Sequence, residues 1–138
     1  MEAFRVLEHT ADIGFEAFGS SREEVFENAA RALQNIMVDL NSILPSEKLE
    51  IQVEGADASC LLVNWLSEIL YRIDADGRLF HDFNVRDLSD RSLTAIAYGE
   101  PFDRARHQVK LQMKAITYHQ LALDKTADGW RAQVYVDI

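Results

Sequence analysis

Cysteine occurs once, at Cys60, so no intramolecular disulfide framework is available. Neither C-x-x-C nor H-E-x-x-H occurs, which removes the common zinc signatures. Neither G-x-x-x-x-G-K-[ST] nor G-x-G-x-x-G occurs, which removes the familiar phosphate-cradling loops. A G-x-S-x-G nucleophile elbow is missing too. The lone thiol sits in an apolar helical stretch, where a small core residue is expected and a nucleophile is not. Basic residues are also scarce: 14 Lys and Arg face 23 Asp and Glu, for a formal charge of −9. Nucleic-acid backbones are held by clustered Lys and Arg, so the chain is a poor candidate for gripping RNA or DNA alone. The acidity suits solubility, a cationic partner or a bound cation. The opening stretch MEAFRVLEHT has no basic or apolar signal-peptide region. No apolar run approaches the roughly 20 residues that span a bilayer. A cytoplasmic protein with no membrane partner is therefore expected.

What is present is an ordinary globular composition, 48% apolar and 27% charged. A length of 138 residues predicts a single domain over 1–138 with a core of its own. Phe4, Val6 and His9 read as a first strand. Ile13, Phe15 and Ala17 follow on one face at period two, with Gly19-Ser20 as a turn. Ser21 and Glu24 form a capping box. Val25, Phe26, Ala29, Ala30, Leu33, Ile36 and Met37 then recur at helical spacing, predicting a helix from about Arg22 to Val38.

Leu49, Ile51 and Val53 predict a strand that Gly55 ends. Asp57 or Ser59 can cap a second helix with the stripe Leu61, Leu62, Trp65, Leu66, Ile69, Leu70 and Ile73, running to about Asp74. LFHDFNVRDL and LTAIAYGE, joined by SDRS, predict a hairpin. KLQMKAITYHQLALDK allows one bent strand or two short ones, and DGW turns the chain into a last strand, WRAQVYVDI. The expected class is α+β: a mixed β-sheet with two amphipathic helices packed on one face.

Three polar clusters carry chemistry. Glu8 to Gly14, EHTADIG, contains Asp12, which can offer oxygen to a hard cation. Asp12 and Thr10 can equally serve a turn between strands. At the end of the chain, alternation turns Val134, Val136 and Ile138 inward and Tyr135 and Asp137 outward. A fixed terminal carboxylate beside the Asp137 side chain costs repulsion unless a cation lies between them. A surface aspartate at a frayed end is the alternative. Third, Glu100, Asp103, Arg104, Arg106, His107, Lys114 and His119 can line one rim. They can also be charges that blunt a solvated sheet edge.

HTADIG, LLVNWLSEIL, GEPFDRARH, KAITYH and the final DI occur together and in one order. In this combination the chain resembles the archease family over nearly its whole length. The resemblance implies an archease-like domain and a non-catalytic accessory protein. Such proteins assist the RtcB-type RNA-splicing ligase, which joins RNA ends with GTP and Mn²⁺ through a guanylylated histidine. It implies that the chain promotes guanylylation and repeated turnover in tRNA splicing, meeting RNA only through the ligase. It also implies a divalent-metal site, for Ca²⁺, Mg²⁺ or Mn²⁺, at Asp12, Asp137 and Ile138, the last through its carboxylate or carbonyl oxygen. Residues added after Ile138 would then disturb that site. Glu8, His9, Glu100, His107, Lys114 and His119 are implied only as neighbours of the metal or as partner-facing residues. Such a site requires the strand starting at Asp12 to lie near the last strand. Two other readings are a general chaperone or modulator of tRNA-modifying enzymes, and a metal-dependent hydrolase with His9 as base.

Overall fold

The computed structural model describes Ala3 and residues 12–138. The expected first strand at Phe4, Val6 and His9 lies outside the described residues.

Strand β1, Asp12–Gly19, leads into helix α1, Arg22–Met37. Ser21 is the N-cap, its hydroxyl accepting the Glu24 N–H at 3.1 Å. The return half of the box is displaced by one residue. Glu24 accepts from the backbone N–H and the hydroxyl of Ser20, both at 3.2 Å, and not from Ser21. A short 3-10 turn at Leu40–Ser42 precedes β2, Glu47–Glu54. Helix α2, Ala58–Asp76, is capped by Asp57, which accepts the Cys60 N–H at 2.8 Å. It runs two residues past the expected end and stops at Gly77, whose φ of 62° is the left-handed conformation that glycine adopts without strain. Cys60 is only half-buried, because it sits in the first turn of α2.

The hairpin appears as β3, Arg78–Leu88, and β4, Ser92–Pro101. The segment after it gives two short strands, β5 at Ala115–Ile116 and β6 at Ala122–Thr126. The last strand is β7, Gly129–Asp137.

The α+β class with two helices is as expected, but the strands do not form one mixed sheet. Among the described residues they form two antiparallel sheets. In the first, β7 is flanked by β1 on one side and by β5 and β6 on the other. In the second, β4 lies between β2 and β3. Short turns join β3 to β4 and β6 to β7 and allow only antiparallel pairing there, since parallel neighbours need long crossovers. Helix α1 packs on β1 and β7 of the first sheet and on β3 of the second, so it joins the two sheets.

One contiguous core fills the space between helices and sheets. Its largest member, Trp65, is fully buried. Its indole N–H donates to the Phe26 carbonyl at 2.9 Å, and its ring meets Phe83 edge-on at 5.8 Å. The bond from α2 to α1 therefore comes from a residue that also packs on β3. No helix among the described residues is long and apolar enough to cross a membrane.

Candidate functional site

The β1–β7 pair brings the two ends of the described chain together. Ile13, Phe15 and Ala17 stand opposite Val136, Val134 and Ala132. These six residues form one apolar face, and all belong to the core or pack against it. That burial fixes the register, since a slip of one residue would turn the apolar set outward. The opposite face is then set as well. It carries Asp12 opposite Asp137, Gly14 opposite Tyr135 and Glu16 opposite Gln133.

Directly opposed residues on antiparallel strands have Cβ atoms about 5 Å apart and side chains on one face. Two carboxylates so placed repel. No described residue forms an ion pair with either carboxylate, although Arg131 engages Glu16 at 2.5 Å and Asp124 at 3.3 Å farther along the same ribbon. Ile138 packs against the core, as its place in the alternation predicts, which limits the freedom of its backbone oxygen.

Among the described residues no group of three or more His, Cys, Asp or Glu side chains is disposed to hold a metal. Two opposed carboxylates and a neighbouring backbone oxygen nevertheless fit a hard divalent cation. Such ions take oxygen ligands and keep several waters. Glu8, His9 and Thr10 lie outside the described residues.

Strand β5 flanks the same end of β7. Ala115 pairs with Asp137, and the Lys114 N–H donates to the Asp137 carbonyl at 2.8 Å. Lys114 and His119 are exposed. The His119 ring meets Tyr135 edge-on at 5.6 Å. Both residues therefore stand around the Asp12–Asp137 end.

The rim expected to join them to Glu100 and His107 does not exist. Glu100 and His107 are buried at 4% exposure each, in a knot between β4 and the following loop. Glu100 Oε2 accepts the Leu44 N–H at 2.7 Å, His107 Nε2 at 2.9 Å and an Arg106 N–H at 3.1 Å. A second Arg106 N–H donates to Oε1. The Asp103 N–H donates to His107 Nδ1 at 2.9 Å, so the ring proton lies on Nε2 and points at Glu100. The Arg106 guanidinium is the main cause that lowers the Glu100 carboxyl to about 2, against the opposing effect of burial, with Leu44 and His107 adding to it. Fully bonded and inward-facing, the pair fastens a loop. The charges of GEPFDRARH suit a solvated edge that discourages pairing, and only the fold reveals which of them turn inward. Arg104 and Asp103 are exposed.

Three residues of the site carried no assigned role at the level of sequence: Gly14, Thr117 and Tyr135. A Cβ on Gly14 would lie 2.6 Å from the Tyr135 ring, so the missing side chain is the seat of that ring. Thr117 donates to the Tyr135 carbonyl from its N–H at 3.0 Å and from its hydroxyl at 2.8 Å. Tyr135 was readable as sharing a face with Asp137, but its contact with Gly14 depends on the pairing.

A profile of the archease protein family matches residues 4–138. The chain is 45% identical to the archease protein of Methanosarcina barkeri, over 98% of this chain and 95% of that one. It is 42% identical to that of Pyrococcus abyssi over the full length of both. The solution structure of Methanobacterium thermoautotrophicum protein 1598 superposes with a TM-score of 0.79 at 33% identity, covering 98% of this chain and 96% of that one. The crystal structure of a Thermotoga maritima archease, described as a possible chaperone, has the same fold, with a TM-score of 0.66 at 20% identity. Paired over β1 and β7 and matched along nearly its whole length, the chain belongs to the archease family.

Proposed function

We propose that this protein is a non-catalytic activator of an RtcB-type, GTP-dependent RNA-splicing ligase, promoting guanylylation and repeated turnover in tRNA splicing and RNA repair. The observation that carries the reading is the opposition of Asp12 and Asp137 at one end of the β1–β7 ribbon. Family membership supplies the context in which that pair acts.

Asp12, Asp137 and an oxygen of Ile138 would hold a divalent ion, with Ca²⁺, Mg²⁺ and Mn²⁺ all compatible with oxygen donors. When bound, such an ion supplies a positive centre that neutralises charge on phosphoryl oxygens. The chain's own contribution is positional. The register of β1 and β7 presents both carboxylates together on the face away from the core. Lys114, held next to Asp137 by its backbone, adds a cationic side chain at the same end. His119, beside Tyr135, is a partner-facing residue of that end. The net charge of −9 suits docking on a basic, RNA-handling protein, which charge complementarity would steer. RNA is then met only through the ligase. The test is a guanylylation assay of an RtcB-type ligase with and without this protein. Equal guanylylation and equal multiple-turnover ligation in both arms would refute the proposal.

One observation favours a second reading, a general chaperone. A groove of about 450 Å³ between the ends of α1 and α2 and the loop after β4 is lined by Met37, Ile73, Leu79, Phe102, Val109 and Met113. Phe102 and Val109 are exposed there, at 38% and 45%. The Thermotoga relative is described as a possible chaperone. If this is the activity, the protein suppresses aggregation of unrelated proteins with neither metal nor ligase present, and filling the groove by Val109→Trp abolishes the effect.

A further inference from the structure

Strand β5 is only two residues long, yet it carries Lys114 to the side of Asp137. Two pairs of residues are too few to hold a strand in place by ladder bonds alone. The next residue supplies more. Thr117 gives the Tyr135 carbonyl two donors, its backbone N–H at 3.0 Å and its hydroxyl at 2.8 Å. A carbonyl has two acceptor sites, so one residue fills both. The Thr117 oxygen in turn accepts the His119 N–H at 3.2 Å. The hydroxyl thus donates to β7 and accepts from the turn that follows β5.

That turn is pinned at its far end as well. Gln120 has a φ of 48°, left-handed for a residue with a side chain. Its carbonyl accepts the Gln133 side-chain N–H at 2.9 Å. The segment from Lys114 to Gln120 is therefore held to β7 at the Asp137 carbonyl, at the Tyr135 carbonyl and at Gln133. The middle clamp is the Thr117 side chain. A valine there would keep the β-branched shape and lose the clamp, while a serine would keep both hydroxyl bonds.

We infer that Thr117 is a positioning residue, whose two bonds to Tyr135 hold Lys114 and Asp137 in fixed relation at the end of the ribbon. The inference rests on the reading that this end is the working end of the protein. Thr117 touches neither Asp12 nor the cation that would lie between the carboxylates, so it acts through the backbone of β5 and β7.

The experiment compares the full-length wild type, Thr117→Val and Thr117→Ser. Amide hydrogen exchange at Lys114 is followed by NMR, Mn²⁺ affinity by titration calorimetry, and guanylylation with an RtcB-type ligase. Loss of one hydrogen bond predicts exchange at Lys114 faster by about fivefold in Thr117→Val. Mn²⁺ affinity and stimulation should fall by a similar factor or more, and Thr117→Ser should restore all three. Wild-type exchange at Lys114 in Thr117→Val overturns the inference. So does faster exchange with Mn²⁺ affinity and stimulation at wild-type values, because the contact is then structural only. If the wild type itself neither binds Mn²⁺ nor stimulates the ligase, the proposed function fails. The positioning role falls with it, while exchange at Lys114 still reports whether the clamp exists.

Discussion

Asp12 and Asp137, from opposite ends of the chain, stand directly across from each other on β1 and β7. Their neighbours on the inner face fix that opposition, because the apolar register of Ile13 with Val136 and Phe15 with Val134 allows no slip. Core packing thus forces two like charges together, and a bound cation is what would turn that cost into a use.

Neutralising either carboxylate separates these effects. Asp12→Asn and Asp137→Asn should each weaken Mn²⁺ binding at least about tenfold, as expected for losing one of two charged ligands. Without metal, each should be as stable as wild type or more stable by about 0.2–1 kcal/mol, because a cross-strand like-charge pair is relieved. Calorimetric titration and urea unfolding in chelator give the two numbers. Unchanged Mn²⁺ affinity in both variants would remove these residues from any metal site.

Lys114 can be tested apart from its backbone. Its N–H bond to Asp137 does not depend on the side chain. Lys114→Met should leave the fold unchanged and lower ligase guanylylation by about tenfold if the ammonium neutralises charge at the partner's site. A variant that stimulates like wild type would leave Lys114 with a backbone role alone.

The seat of the Tyr135 ring should not accept a methyl group. With the ring 2.6 Å from an added Cβ, Gly14→Ala forces it off its place and away from His119. A loss of about 1–3 kcal/mol is expected for such overpacking, at the low end if the ring swings freely. NMR of the Tyr135 and His119 ring protons should show the displacement, and denaturant unfolding its cost.

Glu100 gives a pH dependence with a defined sign. Its carboxyl lies at about 2 in the folded protein, below the ordinary 4.5, first because of Arg106 and despite burial. The stabilisation is therefore complete above the ordinary value and is lost as pH falls toward the folded one. Glu100→Gln should cost about 3 kcal/mol at neutral pH, since it leaves buried His107 and the exposed Arg106 guanidinium without their buried anion. The gap between wild type and variant, read from urea midpoints, should close as the solution is acidified through that window. A gap independent of pH would mean that the knot works by shape and not by charge.

The local elements are legible in the order of residues alone. Ser21, Asp57 and Gly77 mark helix boundaries through side-chain oxygens and a left-handed glycine, and both chemistries act within a few residues. The period of Val134, Val136 and Ile138 set which way Asp137 faces, and the motif resemblance named Asp12 as its partner. Whatever depends on which strand lies beside which came from packing. It divided the strands into two antiparallel sheets. It placed Asp12 opposite Asp137 and seated Tyr135 on Gly14. It also separated charges that look alike in the sequence, turning Glu100 and His107 inward against Leu44 and leaving Lys114 and His119 outside with Asp137. The physical reason is one of range. Caps and alternation are short-range consequences of backbone geometry, whereas pairing and charge burial follow from how distant apolar faces close over a common core.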